Sequence, residues 1–366
     1  MGIPVKLRDM NLMRYHVHQC FHAVGHGTFM TGVVMEEDVG VLKWIYDCGS
    51  KSSIAMDMAL SRTATWPLWT DPINMLTLSH FDDDHVNGLE ALLTRRRVDC
   101  LVLPFSEWQQ RVRDVVIGGL KGVSASTAQL QLSPVAWLRS KDLMSRVGTL
   151  LLVRGGASER GGDLDPILLP TGTNPNTLGG DRQYQESDEQ RDLRMIATVH
   201  TGAPSVQSMR HGVPLRPDST PMEFMFYNAE LNGTDLGIIK KSKTGELISK
   251  KSKLPLQQAR VAIEAEIAAL GLDKPLTGWA PDWRAKLKKC YESHFGSSGA
   301  AKNNISLCMY VAPALNAQRL HPCSLFSEHD ASPPIGNVDA GRFFNPDRPA
   351  VLCTVICGLT PESYRL

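Results

Sequence analysis

The chain has 366 residues, 42% of them hydrophobic and 21% charged, which is enough to bury a core and excludes disordered, fibrous and low-complexity classes. Its 39 basic and 38 acidic residues give a formal net charge of +1, so only local patches could attract nucleic acid or an anionic membrane. The eight cysteines form no paired C-x-x-C motifs, which argues against a disulfide scaffold or zinc ribbon. No apolar run reaches the ~20 residues of a membrane span, and no signal peptide is evident. We expect a single cytoplasmic domain over 1–366, without a membrane partner.

The N-terminal part of the chain alternates extended segments with turns and short helices. A hairpin is predicted from Arg14 to Val34, because two extended segments flank the glycine-rich turn at 25–28. The apolar run from Val41 to Cys48 predicts a buried strand that ends close to an acid, Asp47. The pattern further predicts a helix at 53–60, a strand at 75–78, an apolar-periodic helix at 86–95 and a buried strand at 100–103.

The remainder of the chain has a weaker pattern. Residues 107–220 are interpreted as an insertion or loop-rich region, because 155–192 is dense in turn-forming and charged residues. The segment 240–253 carries six lysines and one glutamate; we expect it to be solvated, with phosphate binding as a minor alternative. Helices are predicted at 107–120, 135–147, 256–270 and 283–295, and strands at 149–153, 223–231, 304–312 and 350–358.

One segment, SHFDDDH at 79–85, contains the residues best suited to chemistry. It follows a buried strand and precedes a helix, and it offers two histidines and three aspartates that are costly to bury unless a cation compensates them. Imidazole nitrogen and carboxylate oxygen are both zinc ligands. The alternative is a solvated acidic loop whose aspartates cap the next helix. At this junction between strand and helix we favour a metal site.

The segment His80-x-Asp82-x-Asp84-His85 resembles the H-x-[HD]-x-D-H signature of the metallo-β-lactamase superfamily, in the variant of the group resembling the ComEC competence proteins. Three other segments are similar to this family in the same order. They are V-G-H-G at 24–27 in the first hairpin, Y-D-C-G at 46–49 at a strand end, and V-N-G-L at 86–89 at a helix start. The resemblance covers residues 14 to about 103.

The resemblance implies an α/β fold of the αββα sandwich type, with a metal site at one edge. It implies that His80 and Asp82 bind one ion and that Asp84 and His85 bind a second, while Asp47 orients the site from behind. Two zinc ions are expected, with manganese or iron as alternatives. A metal-bound hydroxide would then hydrolyse a phosphodiester in a small molecule or nucleic acid, and Asp84 could hold or accept the proton of the water.

The second half of the chain departs from the family pattern. Leu359 stands where the family has a bridging aspartate, and no H-H-G segment follows it. The C-terminal ligands are therefore lost, replaced, or absent from a shortened fold. His200 and Asp339 are the candidate replacements, although a surface role is favoured for both. His26 replaces the usual glutamine of the glycine turn, where it either approaches the site or only caps the turn.

Two functions therefore remain open at this point. The first is a metal-dependent hydrolase that acts on a nucleotide or nucleic-acid phosphodiester. The second is a catalytically impaired protein of the same fold, which would hold one metal or none and serve as a binding or interaction module. Metal content and the activity of His80→Ala and Asp84→Ala variants would discriminate between them.

Overall fold

A computed structural model describes most of the chain between residues 15 and 321. His200, Asp339 and the strand expected at 350–358 lie outside the described residues, as does most of the loop expected at 155–192. The described ranges are 15–36, 39–66, 69, 72–105, 108–117, 123–155, 167–169, 204–217, 222–228, 236–241, 243–272, 274–297, 307–313 and 320–321.

The described strands form a sheet of eight strands, a sheet of four strands and a hairpin of two strands. They are β1 (Tyr15–Phe21), β2 (Gly27–Glu36), β3 (Val39–Ser50), β4 (Ile73–Thr77), β5 (Val98–Phe105), β6 (Val147–Arg154), β7 (Ile167–Leu169), β8 (Ser205–Arg210), β9 (Pro214–Pro217), β10 (Met222–Tyr227), β11 (Ile238–Lys240), β12 (Leu247–Ser249), β13 (Cys308–Pro313) and β14 (Leu320–His321).

The larger sheet has eight strands in the order β14-β1-β2-β3-β4-β5-β6-β8. Strands β1, β2 and β3 form an antiparallel meander, whereas β3, β4, β5, β6 and β8 run parallel to one another. The carboxyl ends of these five parallel strands therefore lie along one edge of the sheet. That edge is where open α/β sheets usually bind their ligands.

Serine residues cap the N-termini of three helices. Ser52, Ser124 and Ser133 each accept a hydrogen bond from a main-chain N–H of the first turn that follows. The helices are α1 (Ser53–Thr65), α2 (Asp83–Val86), α3 (Leu89–Arg95), α4 (Trp108–Ile117), α5 (Ala125–Leu132), α6 (Pro134–Ser140), α7 (Leu256–Ala269) and α8 (Trp283–Phe295). Within the described residues, none of the helices is long and apolar enough to cross a membrane.

The larger sheet is covered on both faces, which explains why β4, β5 and β6 are nearly continuous apolar runs. On one face, Leu76 and Leu101 belong to a core shared with α1, α3, α5 and α6. On the other face, Trp44 belongs to a core shared with the smaller sheet, whose order is β13-β10-β9-β7. The Trp44 ring meets the Phe224 ring edge-on, with 5.6 Å between centroids. A layer of helices, the larger sheet and the smaller sheet thus lie in succession, so the α/β class is confirmed.

Several elements differ from those expected from the sequence. The helix expected at 86–95 is split into α2 and α3, because the Gly88 N–H leaves the helix and donates to the Cys48 carbonyl at 2.8 Å. The helix expected at 135–147 ends at Ser140, and Asp142 then takes a positive φ of 57°. Helix α5 was not expected. Within the region 107–220, β6 and β8 belong to the larger sheet.

Other expectations agree with the structure. The N-terminal hairpin is present as β1 and β2, and the helix expected at 283–295 has those bounds as α8. The lysine-rich segment 240–253 contains the β11–β12 hairpin turn, where Lys241 and Glu246 pair at 3.2 Å. Helices α4, α7 and α8 share a third apolar cluster with residues of α5.

Candidate functional site

The segment 79–85 lies at the carboxyl edge of the parallel strands and runs from the loop after β4 into α2. Its position depends on a close approach between α2 and β3. A Cβ atom added at Gly49 would lie 2.5 Å from the main-chain carbon of His85 and 2.6 Å from that of Asp84. Any larger residue at 49 would therefore push α2 away from the sheet. The glycine of the Y-D-C-G segment thus has a steric explanation.

Asp47 is the buried centre of the site, with no exposed surface. Its carboxylate accepts hydrogen bonds from the Ser79 N–H at 2.6 Å, the Ser79 hydroxyl at 2.7 Å and His85 Nδ1 at 2.7 Å. Its backbone has a φ of 57°, a left-handed conformation that aspartate tolerates better than most residues. Asp47 thereby ties the end of β3 to the loop after β4 and to α2.

The hydrogen-bond network assigns the tautomers of both histidines. The Ser79 hydroxyl has one proton, which it donates to Asp47, so it must accept from His80 Nδ1 at 2.8 Å. His85 Nδ1 also carries a proton, because its partner is the Asp47 carboxylate. Both Nε2 atoms of the neutral rings are therefore left with a lone pair. Metal-binding histidines are commonly prepared in this way, with one ring nitrogen held by a carboxylate or other acceptor.

The charge state of His85 is set by opposing effects. Burial alone would lower its pKa, but the hydrogen bond to Asp47 and the negative charges of Asp47, Asp84 and Asp82 outweigh burial, so the pKa is raised. In the absence of a cation, the site therefore favours a proton on His85. The same negative charges would favour a bound divalent cation, which would take the place of that proton as the positive group.

The four residues of the signature lie together with partial exposure. The side chains of His80, Asp82, Asp84 and His85 are 16%, 26%, 17% and 19% exposed. The two imidazole rings are 4.0 Å apart between centroids, and His80 Nε2 is 3.6 Å from Asp82 Oδ2. The structure thus brings the four predicted ligands to one accessible edge of the sheet.

His26 reaches the same edge from the turn between β1 and β2. Its Nε2 atom lies 3.1 Å from Asp84 Oδ2 and 2.7 Å from Lys51 Nζ. One nitrogen cannot donate to the carboxylate while it accepts from the ammonium group, so the two hydrogen bonds exclude each other. Of the two roles left open by the sequence for His26, the structure places the residue beside Asp84.

Asp83 points away from the signature residues and has a structural role. Its carboxylate accepts from the Ser124 N–H at 3.0 Å and from the Thr127 hydroxyl at 2.5 Å, at the start of α5. A carboxylate at a helix N-terminus is favoured by the helix dipole. Asp83 therefore joins α2 to α5, whereas Asp82 and Asp84 on either side of it lie among the signature residues.

Ser79 has a role beside the site that the sequence did not reveal. Ser79 links Asp47 to His80, and its only sequence signal was its position directly before the first histidine. Cys48, by contrast, follows Asp47 but is fully buried; burial, and then the negative charge of Asp47, raise the pKa of its thiol. Cys48 is therefore a protonated packing residue rather than a thiolate ligand.

The residues fit a metal in donor chemistry and in ring orientation. Imidazole Nε2 and carboxylate oxygens are the donors that zinc takes, and both Nδ1 atoms are already held. In the described part of the chain, however, no group of three His, Cys, Asp or Glu side chains is arranged to hold an ion. The candidate replacement ligands His200 and Asp339 fall outside that part.

Comparison with known proteins does not assign the chain to a family. No protein-family model matches it, and no curated protein or solved structure matches it either.

Proposed function

We propose that the protein is a metal-dependent hydrolase that acts on phosphodiesters. The observation that carries this proposal is the buried Asp47 carboxylate, which holds Ser79 and His85 so that two histidine Nε2 atoms and two carboxylates share one accessible edge. A purely structural loop would not need a buried acid behind two imidazoles that are 16% and 19% exposed, because each ring could instead turn out to solvent. The finer fold proposal, an αββα sandwich, is supported by the facing sheets and the helical layer behind the larger one.

In this proposal His80 and Asp82 hold one metal, and Asp84 and His85 hold a second. Zinc is the favoured ion, with manganese or iron as alternatives, and when bound it would supply hydroxide near neutral pH and polarise the phosphoryl oxygen. Asp47 keeps the His85 proton on Nδ1, and Ser79 does the same for His80. Asp84, which is 17% exposed, holds or accepts the proton of the attacking water in this proposal.

The test measures metal content and phosphodiester hydrolysis together. Protein reconstituted with zinc or manganese and then desalted is assayed for bound metal and for cleavage of bis(p-nitrophenyl) phosphate and a labelled oligonucleotide. We expect His80→Ala and Asp84→Ala to lose metal and activity. Asp83→Asn is the matched control from the same loop, and it should retain both because Asp83 contacts α5 instead.

The alternative function, a binding or interaction module without catalysis, predicts the opposite outcome. A folded protein that binds no metal after reconstitution and cleaves neither substrate would overturn the hydrolase proposal. Metal binding without hydrolysis of either substrate would instead support the impaired protein that holds its ion for structure or binding.

A further inference from the structure

The turn between β1 and β2 is packed tightly against α2, the helix that carries Asp84. A Cβ atom added at Gly27 would lie 2.6 Å from the Asp84 carbonyl oxygen, so a larger residue there would push the turn away from α2. The Lys51 N–H donates to the His26 carbonyl at 2.7 Å, which fastens the turn to the end of β3. The backbone of His26 is therefore held beside the signature residues by the framework of the fold, independently of its side chain.

The His26 side chain contacts two groups of opposite charge. Its Nε2 atom lies 3.1 Å from Asp84 Oδ2 and 2.7 Å from Lys51 Nζ. If Nε2 carries a proton, it faces the ammonium group as a second donor; if it carries a lone pair, it faces the carboxylate as a second acceptor. One of the two contacts is unfavourable in either state. A cation bound jointly by the Nε2 lone pair and the Asp84 oxygen removes this conflict, because Lys51 is exposed and can turn out to solvent.

The separation of the two donor atoms suits one shared ion. Zinc takes imidazole nitrogen at about 2.0–2.1 Å and carboxylate oxygen at about 2.0–2.2 Å in a tetrahedral arrangement. Two such donors on one ion are about 3.4 Å apart. The 3.1 Å between His26 Nε2 and Asp84 Oδ2 is close to this value. A small rotation of either side chain would therefore place both donors on the same ion.

The ion assigned to Asp84 and His85 needs more protein ligands than these two. Protein zinc sites use three or four protein ligands. No group of three described His, Cys, Asp or Glu side chains is already arranged to hold an ion, so a third ligand among them has to move into place. The side chain of His26 is 64% exposed, so its ring can turn towards Asp84 and His85 without disturbing the core.

We propose that His26 is a third ligand, through Nε2, of the metal ion held by Asp84 and His85. This inference rests on the proposed function for the presence of that ion, and it adds a ligand from outside the signature. The Nε2 lone pair that faces the Lys51 ammonium group in the metal-free protein faces the ion in the loaded protein. The close packing of the turn on α2 keeps the ring within reach.

The experiment measures cobalt binding, because cobalt(II) takes the same nitrogen and oxygen ligands as zinc and absorbs visible light. Metal-free full-length protein is titrated with cobalt chloride, and the visible spectrum reports both the dissociation constant and the ligands around the ion. We expect His26→Ala to weaken the binding of one ion by at least the roughly 10–100-fold that loss of an outer partner of a metal ligand costs. The spectrum at saturation should also change, because water replaces a nitrogen ligand. Thermal unfolding verifies that the metal-free variant is folded.

His18→Ala is the matched control. His18 is a half-buried histidine on β1 that pairs with Val33 of β2, and at about 3.3 Å per residue it lies roughly 20 Å from the turn at Gly27. This variant should bind cobalt as the wild type does. Equal affinities and spectra of His26→Ala and wild type would overturn the inference, and so would an equal loss in His18→Ala. Weaker binding with an unchanged spectrum at saturation would also overturn it, because His26 would then only position Asp84.

The outcomes for the two proposals are separable. Cobalt binding that depends on His26 supports this inference even when the metal-loaded protein cleaves neither bis(p-nitrophenyl) phosphate nor the oligonucleotide, a result that contradicts only the hydrolase. Cleavage by the wild type together with unchanged cobalt binding in His26→Ala supports the hydrolase and contradicts only the ligand role of His26. A wild-type protein that binds no metal would overturn both.

Discussion

Replacement of Asp47 by asparagine should change both the stability of the protein and the protonation of His85. The asparagine oxygen can still accept from the Ser79 N–H, but its NH₂ group would face the protonated Nδ1 of His85. The ring must then move its proton to Nε2 or give up the contact. Hydrogen bonds to a charged group contribute about 1.5–3 kcal/mol, and a broken buried pair costs about 3–5 kcal/mol. Since one bond survives, we expect a loss of about 2–4 kcal/mol in the free energy of unfolding.

The same substitution has a defined effect on pH dependence in metal-free protein. The raised pKa means that folded wild-type protein holds the His85 proton more tightly than the unfolded chain does. The stability linked to this proton is fully present below about pH 6.5, the ordinary histidine pKa, and is lost as pH rises through the higher folded value. In Asp47→Asn the pKa of His85 should fall, because burial is then opposed only by Asp84 and Asp82. The loss of stability over this pH window should therefore shrink.

Urea unfolding at several pH values and NMR titration of the His85 ring measure both effects. Asp99→Asn is the control, because Asp99 is a partly buried acid near the start of β5, at the other edge of the sheet. It should leave the His85 tautomer and pKa unchanged. If Asp47→Asn also left them unchanged, the assignment of Asp47 as the group that holds His85 would be refuted.

Three further predictions concern the framework around the site. Gly49→Ala should destabilise the protein by about 2 kcal/mol or more, since its Cβ would overlap the main chain of α2; an unaltered urea midpoint would contradict this close packing. Asn228→Leu should cost about 2–4 kcal/mol, because the buried Asn228 amide donates to carbonyls at the ends of β5 and β6, and unchanged thermal stability would show that those bonds contribute little. Asp83→Ala should cost about 1 kcal/mol in urea unfolding while metal content is retained; loss of metal would show that Asp83 belongs to the site.

The parts of the fold that could be predicted are those with a strong local pattern. The helix at 283–295 has an apolar face of its own, which packs in the cluster shared with α4 and α7. Helix α5 could not be found in this way, because its sequence ASTAQLQL places Thr127, Gln129 and Gln131 in the interior. Gln129 donates to the Lys274 carbonyl and accepts from Ser140, and such distant partners leave no mark on local periodicity.

Some features of the site could likewise be predicted from the sequence, and others could not. The signature at 80–85 could be predicted because its ligand-type residues are dense and contiguous. The role of Ser79 depends on one hydrogen bond that its hydroxyl donates to Asp47 and one that it accepts from His80, and only the assembled network specifies both. Strand β8 pairs with β6, although 50 residues separate the end of β6 at 154 from the start of β8 at 205. Sequence spacing carries no information about such a register.

The main chain of Leu307 has a consequence for how the site is assembled. Its N–H donates to the Ser79 carbonyl at 2.7 Å, and its carbonyl accepts from the Tyr46 hydroxyl at 2.7 Å. The loop that holds His80 is thus fastened by a residue more than two hundred positions later in the chain. A contact this distant in sequence has a larger loop-closure entropy cost than a local one. The signature is contiguous in sequence, yet the position of its first residues depends on a contact with Leu307. A variant chain that stops before Leu307 would carry every signature residue without the fastening that positions them.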